Sequence, residues 1–212
     1  MTSTKTTQLR RIRFSLWILV GAAVLALGGA YFVRTIGVRE PPPVTTGEAA
    51  IRSEFSLTDH NGNRVTEADF LGRWQLVFFG FTHCPDVCPT TLAYMANVLD
   101  RLGGKVESVA PIFITVDPSR DTPEVMAEYV QAFHPKLVGL TGSEAEVAAA
   151  AQSFRVYYEK MEEDTAPDGY LMAHSGHIYL MTPESRFEDV FREGDQSAEE
   201  MAADVLARMN GK

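Results

Sequence analysis

Cys84 and Cys88 are the only two cysteines of this 212-residue chain, and they lie close together in the segment FTHCPDVCP. Three residues separate them. Two thiols at this spacing can cycle between dithiol and disulfide, form a permanent disulfide, or bind a metal ion as thiolates. The thiolate is the reactive form both for redox exchange and for metal binding. Either function therefore requires a feature near the cysteines that lowers the pKa of a thiol.

The segments on either side of the cysteines predict a strand, a loop and a helix. WQLVFFGFT is a continuous apolar run, which predicts a strand buried on both faces over residues 74–82. PTTLAYMANVLDRLG has apolar residues at helical spacing and predicts a helix over residues 89–103. A proline follows each cysteine, and proline fits only the first turn of a helix. Cys84 is therefore expected at or just before the helix start and Cys88 one turn later, where the positive end of the helix favours thiolate.

A third metal ligand must come from another part of the chain, since two thiolates are an incomplete site for most metals. Zinc normally takes four protein ligands, whereas Cu(I) accepts two or three soft ligands and Cu(II) readily adds imidazole. His60 and His134 lie in predicted turns and are interpreted as ordinary surface residues. His83 directly precedes the first cysteine, and His174 and His177 flank the start of a predicted strand, where alternation turns them to opposite faces. The spacing leaves open which of these three histidines meets the cysteines.

The remaining elements predict a mixed α/β domain. SEFSLTDHNGNRVTEADF predicts a hairpin turned at Asn61-Gly62, and VAPIFITVD a second buried strand over residues 109–117. Thr122 caps the predicted helix PEVMAEYVQAF, and capping boxes open the helices of SEAEVAAAAQSF and SAEEMAADVLARM. Short strands are predicted in LVGLTG, RVYYEKM, GHIYLMTP and RFEDVFRE. A strand, a cysteine loop and a helix in this order form the thioredoxin arrangement, in which chemistry collects at the carboxyl end of a central strand.

The first part of the chain predicts a membrane anchor. Residues 14–33 carry no charge and are almost all apolar, and twenty residues at a rise of ~1.5 Å span a hydrocarbon core of ~30 Å. Residues 1–13 carry four basic side chains and no acidic one, which predicts that this end stays in the cytoplasm. A cleaved signal peptide is the alternative, but its apolar region would be ~7–15 residues long. Residues 34–50, with three consecutive prolines, predict an extended tether, and residues 51–212 predict one compact domain.

The charge of the chain argues against nucleic acid as a partner. Of the 19 lysines and arginines, 15 follow residue 33 together with all 28 acidic residues, so that this part carries a formal net charge of −13. Such a surface keeps a domain soluble and suits a positively charged partner. This part of the chain is expected outside the cytoplasm, where disulfides persist. The two cysteines can therefore form a disulfide there.

Three segments resemble the hallmark segments of the Sco/SenC family: FGFTHCPDVCP, ITVDPSRDTPEVMAEYVQAFHPKLVGLTG and MAHSGHIYLMTP. They occur in the same order over residues 50–205, and the predicted anchor matches as well. Members of this family are membrane-anchored, thioredoxin-like copper chaperones of cytochrome c oxidase. The resemblance therefore implies a thioredoxin-like mixed α/β sheet with flanking helices, preceded by one N-terminal transmembrane helix.

The resemblance also implies a copper site formed by Cys84, Cys88 and His174, with copper carried as Cu(I) or Cu(II), and it gives His177 no role. The chain departs from the family at Ala173, because the family usually has an acidic residue immediately before this histidine. Ligand histidines normally have a hydrogen-bond partner on the second ring nitrogen, and losing it costs about 10–100-fold in metal affinity. We therefore expect Ala173 to weaken copper binding and to leave the ligands unchanged.

The D-P-x-R-D-T segment of the family falls on residues 117–122. Asp117, at the end of a predicted strand beside the cysteine loop, is a candidate to orient or tune the copper site from outside it. The alternative is a capping and turn network with Arg120 and Asp121. Asp86, between the cysteines, also matches the family and is interpreted as a solvated loop residue.

Two functions follow as hypotheses. The first is a copper metallochaperone that delivers one copper to the binuclear copper site of a cytochrome c oxidase subunit, with other copper carriers as further partners. The second is a thiol–disulfide oxidoreductase acting on that subunit or on another extracytoplasmic target, in which Cys84 attacks and Cys88 resolves. Peroxidase chemistry is a weaker alternative, since Thr82 is near but no matching arginine is evident, and a structural disulfide is the simplest one. The short basic N-terminus predicts a bacterial inner-membrane protein whose C-terminal domain is periplasmic.

Overall fold

The computed structural model describes residues 51–211 and, in the chain before them, only Trp17 and Gly21. Apart from these two residues, the predicted basic N-terminus, membrane anchor and tether lie outside the described residues. In the part of the chain that is described, no helix is long and apolar enough to cross a bilayer. The chain from Thr46 onward forms one compact unit, and the fold below is the fold of that unit.

Within residues 51–211 the chain forms nine strands, four α-helices and three short 3-10 helices. The 3-10 helices are Glu67–Phe70, Gly103–Ser108 and Pro167–Gly169. The α-helices are α1 (Val87–Arg101), α2 (Pro123–Gln131), α3 (Glu144–Ser153) and α4 (Ala198–Asn210). The strands are β1 (Ser56–Asp59), β2 (Arg64–Thr66), β3 (Trp74–Gly80), β4 (Val109–Thr115), β5 (Val138–Thr141), β6 (Tyr158–Glu162), β7 (Tyr170–His174), β8 (His177–Met181) and β9 (Phe187–Arg192).

Seven of the strands form one mixed sheet in the order β2-β1-β5-β4-β3-β8-β9. Strands β3, β4 and β5 are parallel, and the outer strands pair antiparallel on both sides of them. Every residue of β3 and β4 is buried, as continuous apolar runs require in a sheet that is covered by helices. The mixed α/β architecture with flanking helices that the sequence predicts is confirmed.

Aromatic side chains on the central strands form much of the core beneath the cysteines. Phe78 on β3 stacks on Phe113 on β4 with ring centroids 5.9 Å apart, and Phe79 packs against Phe154 after α3 at 5.3 Å. The rings of these four residues are completely buried. Such close packing makes the carboxyl ends of β3 and β4 a rigid support for the segments that follow them.

The structure corrects several predicted bounds around the cysteines. β3 and β4 end at Gly80 and Thr115, each two residues earlier than predicted, and α1 begins at Val87 rather than at residue 89. Cys88 is therefore the second residue of α1, whereas Cys84 lies in the loop before the helix. The proline in the first helical turn and the Thr122 cap with its following proline are confirmed.

Strand β7 is absent from the sequence-based prediction, which placed His174 and His177 at the start of one strand. The structure puts them on two strands, since His174 ends β7 and His177 begins β8. The segment YLMAH has no β-branched residue and gives a weak local strand signal. It forms a strand because it pairs antiparallel with β6 across the acidic loop.

Candidate metal centre

The two cysteines are held at the junction between β3 and α1. The amide of Cys84 donates to the carbonyl oxygen of Phe81 at 3.3 Å, which turns the loop back on itself. The amide of Cys88 donates to the sulfur of Cys84, also at 3.3 Å. The first turn of the helix therefore presents a backbone donor to the half-buried sulfur of Cys84, while Cys88 is fully buried beneath it.

His174 reaches the cysteines from the end of β7. Its Nε2 lies 3.3 Å from the sulfur of Cys88, and its ring meets the rings of Phe78 and Phe81 edge-on at centroid distances of 6.0 and 5.9 Å. Its Nδ1 donates to the carbonyl oxygen of Ser175 at 3.2 Å. When a metal binds, this hydrogen bond keeps the ring proton on Nδ1, so that Nε2, which faces the cysteine sulfurs, is the nitrogen that offers its lone pair.

The carbonyl group of Ser175 provides the hydrogen-bond partner for His174 that the side chain of Ala173 cannot provide. A chain without the usual acidic residue is expected to lack a side-chain hydrogen-bond partner for the second ring nitrogen of His174. A backbone carbonyl occupies that position instead, one residue after His174. A carbonyl orients the ring as a carboxylate does, although it is neutral and raises the basicity of the ring less.

The sulfurs of Cys84 and Cys88 and a ring nitrogen of His174 lie within 4.8 Å of one another. Metal–sulfur and metal–nitrogen bonds are ~2.0–2.3 Å long, so that slight side-chain rotations bring all three donors onto one ion. The site is half-open, with one buried and two half-buried members. This is the group of three that the resemblance implied, and it is a shallow, soft donor set.

The other histidines make contacts elsewhere. The ring of His83 faces Thr82 Oγ1 at 3.0 Å, and that of His177 faces Arg192 at 3.0 Å. His60 and His134, predicted as ordinary surface residues, accept backbone hydrogen bonds from Gly139 and Lys136 through Nδ1. Of the three histidines that the spacing left open, His174 alone belongs to the cysteine cluster of the described chain.

The two thiols have opposite electrostatic environments. The pKa of Cys84 is lowered to about 4, chiefly because the thiol of Cys88 hydrogen-bonds to it, with further contributions from His174 and two backbone amides. The pKa of Cys88 is raised by the same hydrogen bond, by burial and by the charge of Cys84. At neutral pH the pair therefore carries one negative charge on Cys84 and one proton on Cys88, and a metal that binds both sulfurs must displace that proton.

The lowered pKa predicts how the reactivity of Cys84 depends on pH. Alkylation of the reduced, folded protein by iodoacetamide is expected to reach half its maximal rate near pH 4, because the thiolate is already formed above that pH. In the denatured protein the same cysteine should require a pH of about 8.5. Peptide mass spectrometry assigns the modified residue, and Cys88 should be protected by burial. A half-point near that of the denatured chain would contradict the hydrogen-bonding arrangement.

Gly80, the last residue of β3, provides the space for Cys88. A Cβ atom added at this glycine would lie 2.8 Å from the sulfur of Cys88 and 2.9 Å from the ring of Phe113. Both neighbours are completely buried. A side chain at this position would therefore push the buried sulfur away from the other two donors.

Replacing Gly80 with alanine is expected to lower the free energy of unfolding by about 1–3 kcal/mol through overpacking. The measurement is equilibrium unfolding in urea. Gly104→Ala is the matched control, since nothing lies within 4 Å of a Cβ atom there, and its effect should stay within about 0.5 kcal/mol. Equal losses in the two variants would show that the β3 end is not tightly packed against Cys88.

Asp117 takes part in the turn network that was its alternative role. It accepts hydrogen bonds from Nε of Arg120 at 2.5 Å, from Ser119 Oγ at 2.8 Å and from the hydroxyl of Tyr170 at 3.1 Å. None of its contacts within residues 51–211 is to a sulfur or to His174. Any effect of Asp117 on the metal centre must therefore be transmitted through another residue.

Asp121, which was predicted only as part of the turn network, is a buried carboxylate beneath the cysteine loop. It accepts hydrogen bonds from the amide and the hydroxyl of Thr82 and from the hydroxyl of Thr115 at the end of β4. Burial raises its pKa, and its charge in turn contributes to the raised pKa of Cys88. The sequence signal was present, since Asp121 follows a buried strand, but only the fold shows that it meets Thr82 39 residues earlier.

The sequence of this chain matches a known protein family. A family model for SCO1/SenC matches residues 43–210. The chain belongs to the SCO1/SenC family. The three segments that resembled the family were thus a correct guide to it.

Several SCO1/SenC relatives are similar over most of this chain. The mitochondrial SCO1 homolog 1 of Arabidopsis thaliana is 48% identical over 154 residues, which are 72% of this chain and 45% of that protein. The mitochondrial SCO2 homolog of Bos taurus is 41% identical over 94% of this chain and 76% of its own length. The chain thus spans about half the length of some relatives and three quarters of others.

Two similar solved structures contain copper. Arabidopsis thaliana ScoI with copper bound is 42% identical, with a TM-score of 0.71 over 77% of this chain and 100% of that one. Bradyrhizobium japonicum ScoI with copper bound is 45% identical, with a TM-score of 0.69 over 74% of this chain and 99% of that one. The described residues carry the Cys-Cys-His group that suits this metal.

Proposed function

We propose that this protein is a copper metallochaperone that binds one copper ion through Cys84, Cys88 and His174. The observation that carries the proposal is the convergence of two sulfurs and one imidazole nitrogen within 4.8 Å at the end of β3. Family members of known structure hold copper, which supports copper as the cargo. Zinc fits less well because it normally takes four protein ligands in a closed site.

The donor set suits an ion that must be taken up and released. Two sulfurs satisfy Cu(I), and the imidazole adds the ligand that Cu(II) prefers. One sulfur and the histidine are half-buried, so that thiolates of an acceptor protein can approach and replace the ligands one at a time. Because Cys84 is already a thiolate near neutral pH, only the proton of Cys88 has to leave when copper enters.

The proposed acceptor is the copper-bearing subunit of a cytochrome c oxidase, with its binuclear copper site. The proposed location is the periplasmic face of a bacterial inner membrane, with residues 14–33 as the anchor and residues 34–50 as the tether. The apolar stretch without charge and the basic N-terminus support this placement. An anchored domain on a tether stays close to an acceptor in the same membrane, which raises the effective concentration of the pair.

Copper transfer tests this proposal directly. The purified full-length protein is reduced, loaded with copper and mixed with the apo form of the oxidase copper subunit, and absorption of the binuclear site is followed. We expect one equivalent of copper on the chaperone and its transfer to the acceptor. Protein that binds no copper, or that keeps its copper in the presence of the acceptor, would overturn the proposal.

Thiol–disulfide exchange is a second candidate, and the electrostatic asymmetry of the pair favours it. A low-pKa thiolate at Cys84 with a protonated neighbour is the arrangement of an attacking and a resolving thiol. In that reaction Cys84 attacks a target disulfide, and Cys88 then displaces the reduced target and closes a disulfide with Cys84. His174→Ala separates the candidates, since an oxidoreductase should keep its exchange rate while a copper carrier loses Cu(II).

A further inference from the structure

His174 lies on a part of the fold that the main sheet does not hold. β6 and β7 form a two-stranded sheet of their own, and within residues 51–211 neither strand pairs with the seven-stranded sheet. The two cysteines, in contrast, are attached to β3 and α1 in the centre of the domain. The position of His174 relative to the sulfurs therefore depends on its two-residue connection to β8 and on what fastens the β6–β7 hairpin to the rest of the protein.

Tyr170, the first residue of β7, is a buried polar fastening point of the hairpin, in addition to the apolar contacts of Tyr158, Leu171 and Met172 with the core. Its side chain is buried, and its hydroxyl donates to both carboxylate oxygens of Asp117 at 3.1 and 3.2 Å. Two cations lie over its ring: the guanidinium of Arg120 and the ammonium of Lys160, each 3.7 Å from the ring centroid. We refer to Tyr170, Asp117, Arg120 and Lys160 as the Tyr170 cluster.

Asp117 is fixed at the edge of the sheet from which the cysteines leave. Its amide donates to the hydroxyl of Thr115 at 2.8 Å, and the next residue back, Val116, donates to the carbonyl oxygen of Gly80. Its carboxylate is paired with the largely buried guanidinium of Arg120. Asp117 is thus part of the rigid carboxyl edge of β4, one strand away from the cysteine loop.

Tyr170 and His174 are coupled through the strand between them. Residues four apart on a strand point to the same face, so that Tyr170 and His174 both face the domain from the two ends of β7. Pairing with β6 keeps this short strand straight, with Tyr158 opposite His174 and Glu162 opposite Tyr170. Fixing one end of a paired strand of five residues restricts where the other end can lie.

We propose that Tyr170, held by Asp117, is a positioning residue that sets how firmly His174 is held against the two cysteines. This inference rests on the proposed copper function and adds a residue to it. Loss of the Tyr170 hydroxyl frees the β7 end, and His174 then leaves the copper more often. The Cys84 and Cys88 sulfurs keep their places because β3 and α1 hold them, and the contact of the cluster with their loop, Arg120 over the Phe81 ring at 5.9 Å, remains when the hydroxyl is removed. The Tyr170 cluster would therefore control Cu(II), which needs the imidazole, and not Cu(I).

Tyr170→Phe in the full-length protein tests the proposal, since it removes the hydroxyl and keeps the ring between its cations. We expect Cu(II) to be lost to a chelator faster than from the unaltered protein, by up to the roughly tenfold that loss of a direct outer partner of a ligand histidine costs at the least. The nitrogen hyperfine splitting in the Cu(II) spectrum should weaken. Cu(I) affinity, measured by competition with a Cu(I) chelator, should not change.

Two control variants separate positioning from general destabilisation, and a third variant serves as a second test. Tyr157→Phe removes an exposed hydroxyl that bonds Glu159 on the same hairpin, and Val147→Ala removes buried volume from α3, which packs against β1. Both should release Cu(II) at the unaltered rate. If Tyr170→Phe does not fold, Asp117→Asn weakens the acceptor of the Tyr170 hydroxyl at the edge of the main sheet and should also accelerate release.

The outcomes decide between the proposal and its alternatives. Faster Cu(II) release with unchanged Cu(I) affinity in Tyr170→Phe or Asp117→Asn supports positioning. Unchanged Cu(II) release, equal loss of both copper states, or equally fast release from Val147→Ala would overturn it. Failure of the unaltered protein to bind any copper would instead refute the proposed function on which this inference rests.

Discussion

Replacing Cys88 with serine is expected to reduce copper binding from one equivalent to none. The hydroxyl of serine does not ionise near neutral pH and is a hard donor, so that copper keeps only Cys84 and His174 as ligands. The pKa of Cys84 should also rise, because the thiol of Cys88 is the largest of the influences that lower it. The measurement is anaerobic titration of the reduced full-length protein with Cu(I) and Cu(II), with metal analysis after gel filtration.

Cys88→Ala is the companion variant, because Cys88 is fully buried and part of the apolar core. Alanine avoids placing a hydroxyl without partners in that core, so that any loss of copper is due to the missing sulfur. Serine and alanine should therefore give the same loss of copper while differing in thermal stability. Stoichiometric copper in the alanine variant would mean that the metal is held elsewhere in the chain.

The cysteine half of the site was predictable because its determinants are local in sequence. A continuous apolar run, two cysteines and a proline after each define a strand, a loop and a helix start within sixteen residues. Proline restricts where the helix can begin, which predicted Cys84 at or just before the helix start and Cys88 one turn later, whereas Cys88 lies in the first turn itself. The remaining error, two residues at the start of α1, comes from Asp86 being the last non-helical residue.

The histidine half was not predictable from spacing because it depends on pairing between distant segments. His174 lies on a strand without β-branched residues, and that strand exists only because β6 pairs with it. The contact between Tyr170 and Asp117 joins residues 53 positions apart, and the Ser175 carbonyl is a backbone group that has no sequence signature. Resemblance to the family identified His174, whereas alternation along a single strand could not.

The hydrogen bond between Nδ1 of His174 and the carbonyl of Ser175 shows why a neutral partner is sufficient to orient this histidine. A carboxylate on Nδ1 would make the imidazole more basic and a stronger ligand, whereas the carbonyl of Ser175 orients the ring without adding charge. A weaker imidazole ligand leaves copper more readily. In a protein that passes its metal on, ready dissociation of one ligand opens a position for the acceptor.

Replacing His174 with alanine is expected to separate the two oxidation states of copper. Cu(II) affinity should fall by more than the roughly 10–100-fold that loss of an outer partner of a ligand histidine costs, because the ligand itself is removed. Cu(I) should still bind, since two sulfurs satisfy it. Absorption from sulfur-to-copper charge transfer reports Cu(II), and competition with a Cu(I) chelator reports Cu(I).

His177→Ala is the matched control, because His177 lies three residues further along and faces Arg192 instead of the cysteines. It should bind both oxidation states as the unaltered protein does. Equal loss of Cu(II) in the two variants would show that the imidazole at the site is not specific to His174. Loss of Cu(I) in His174→Ala would show that the two sulfurs cannot hold the metal alone, and the proposed replacement of the ligands one at a time would then have to be abandoned.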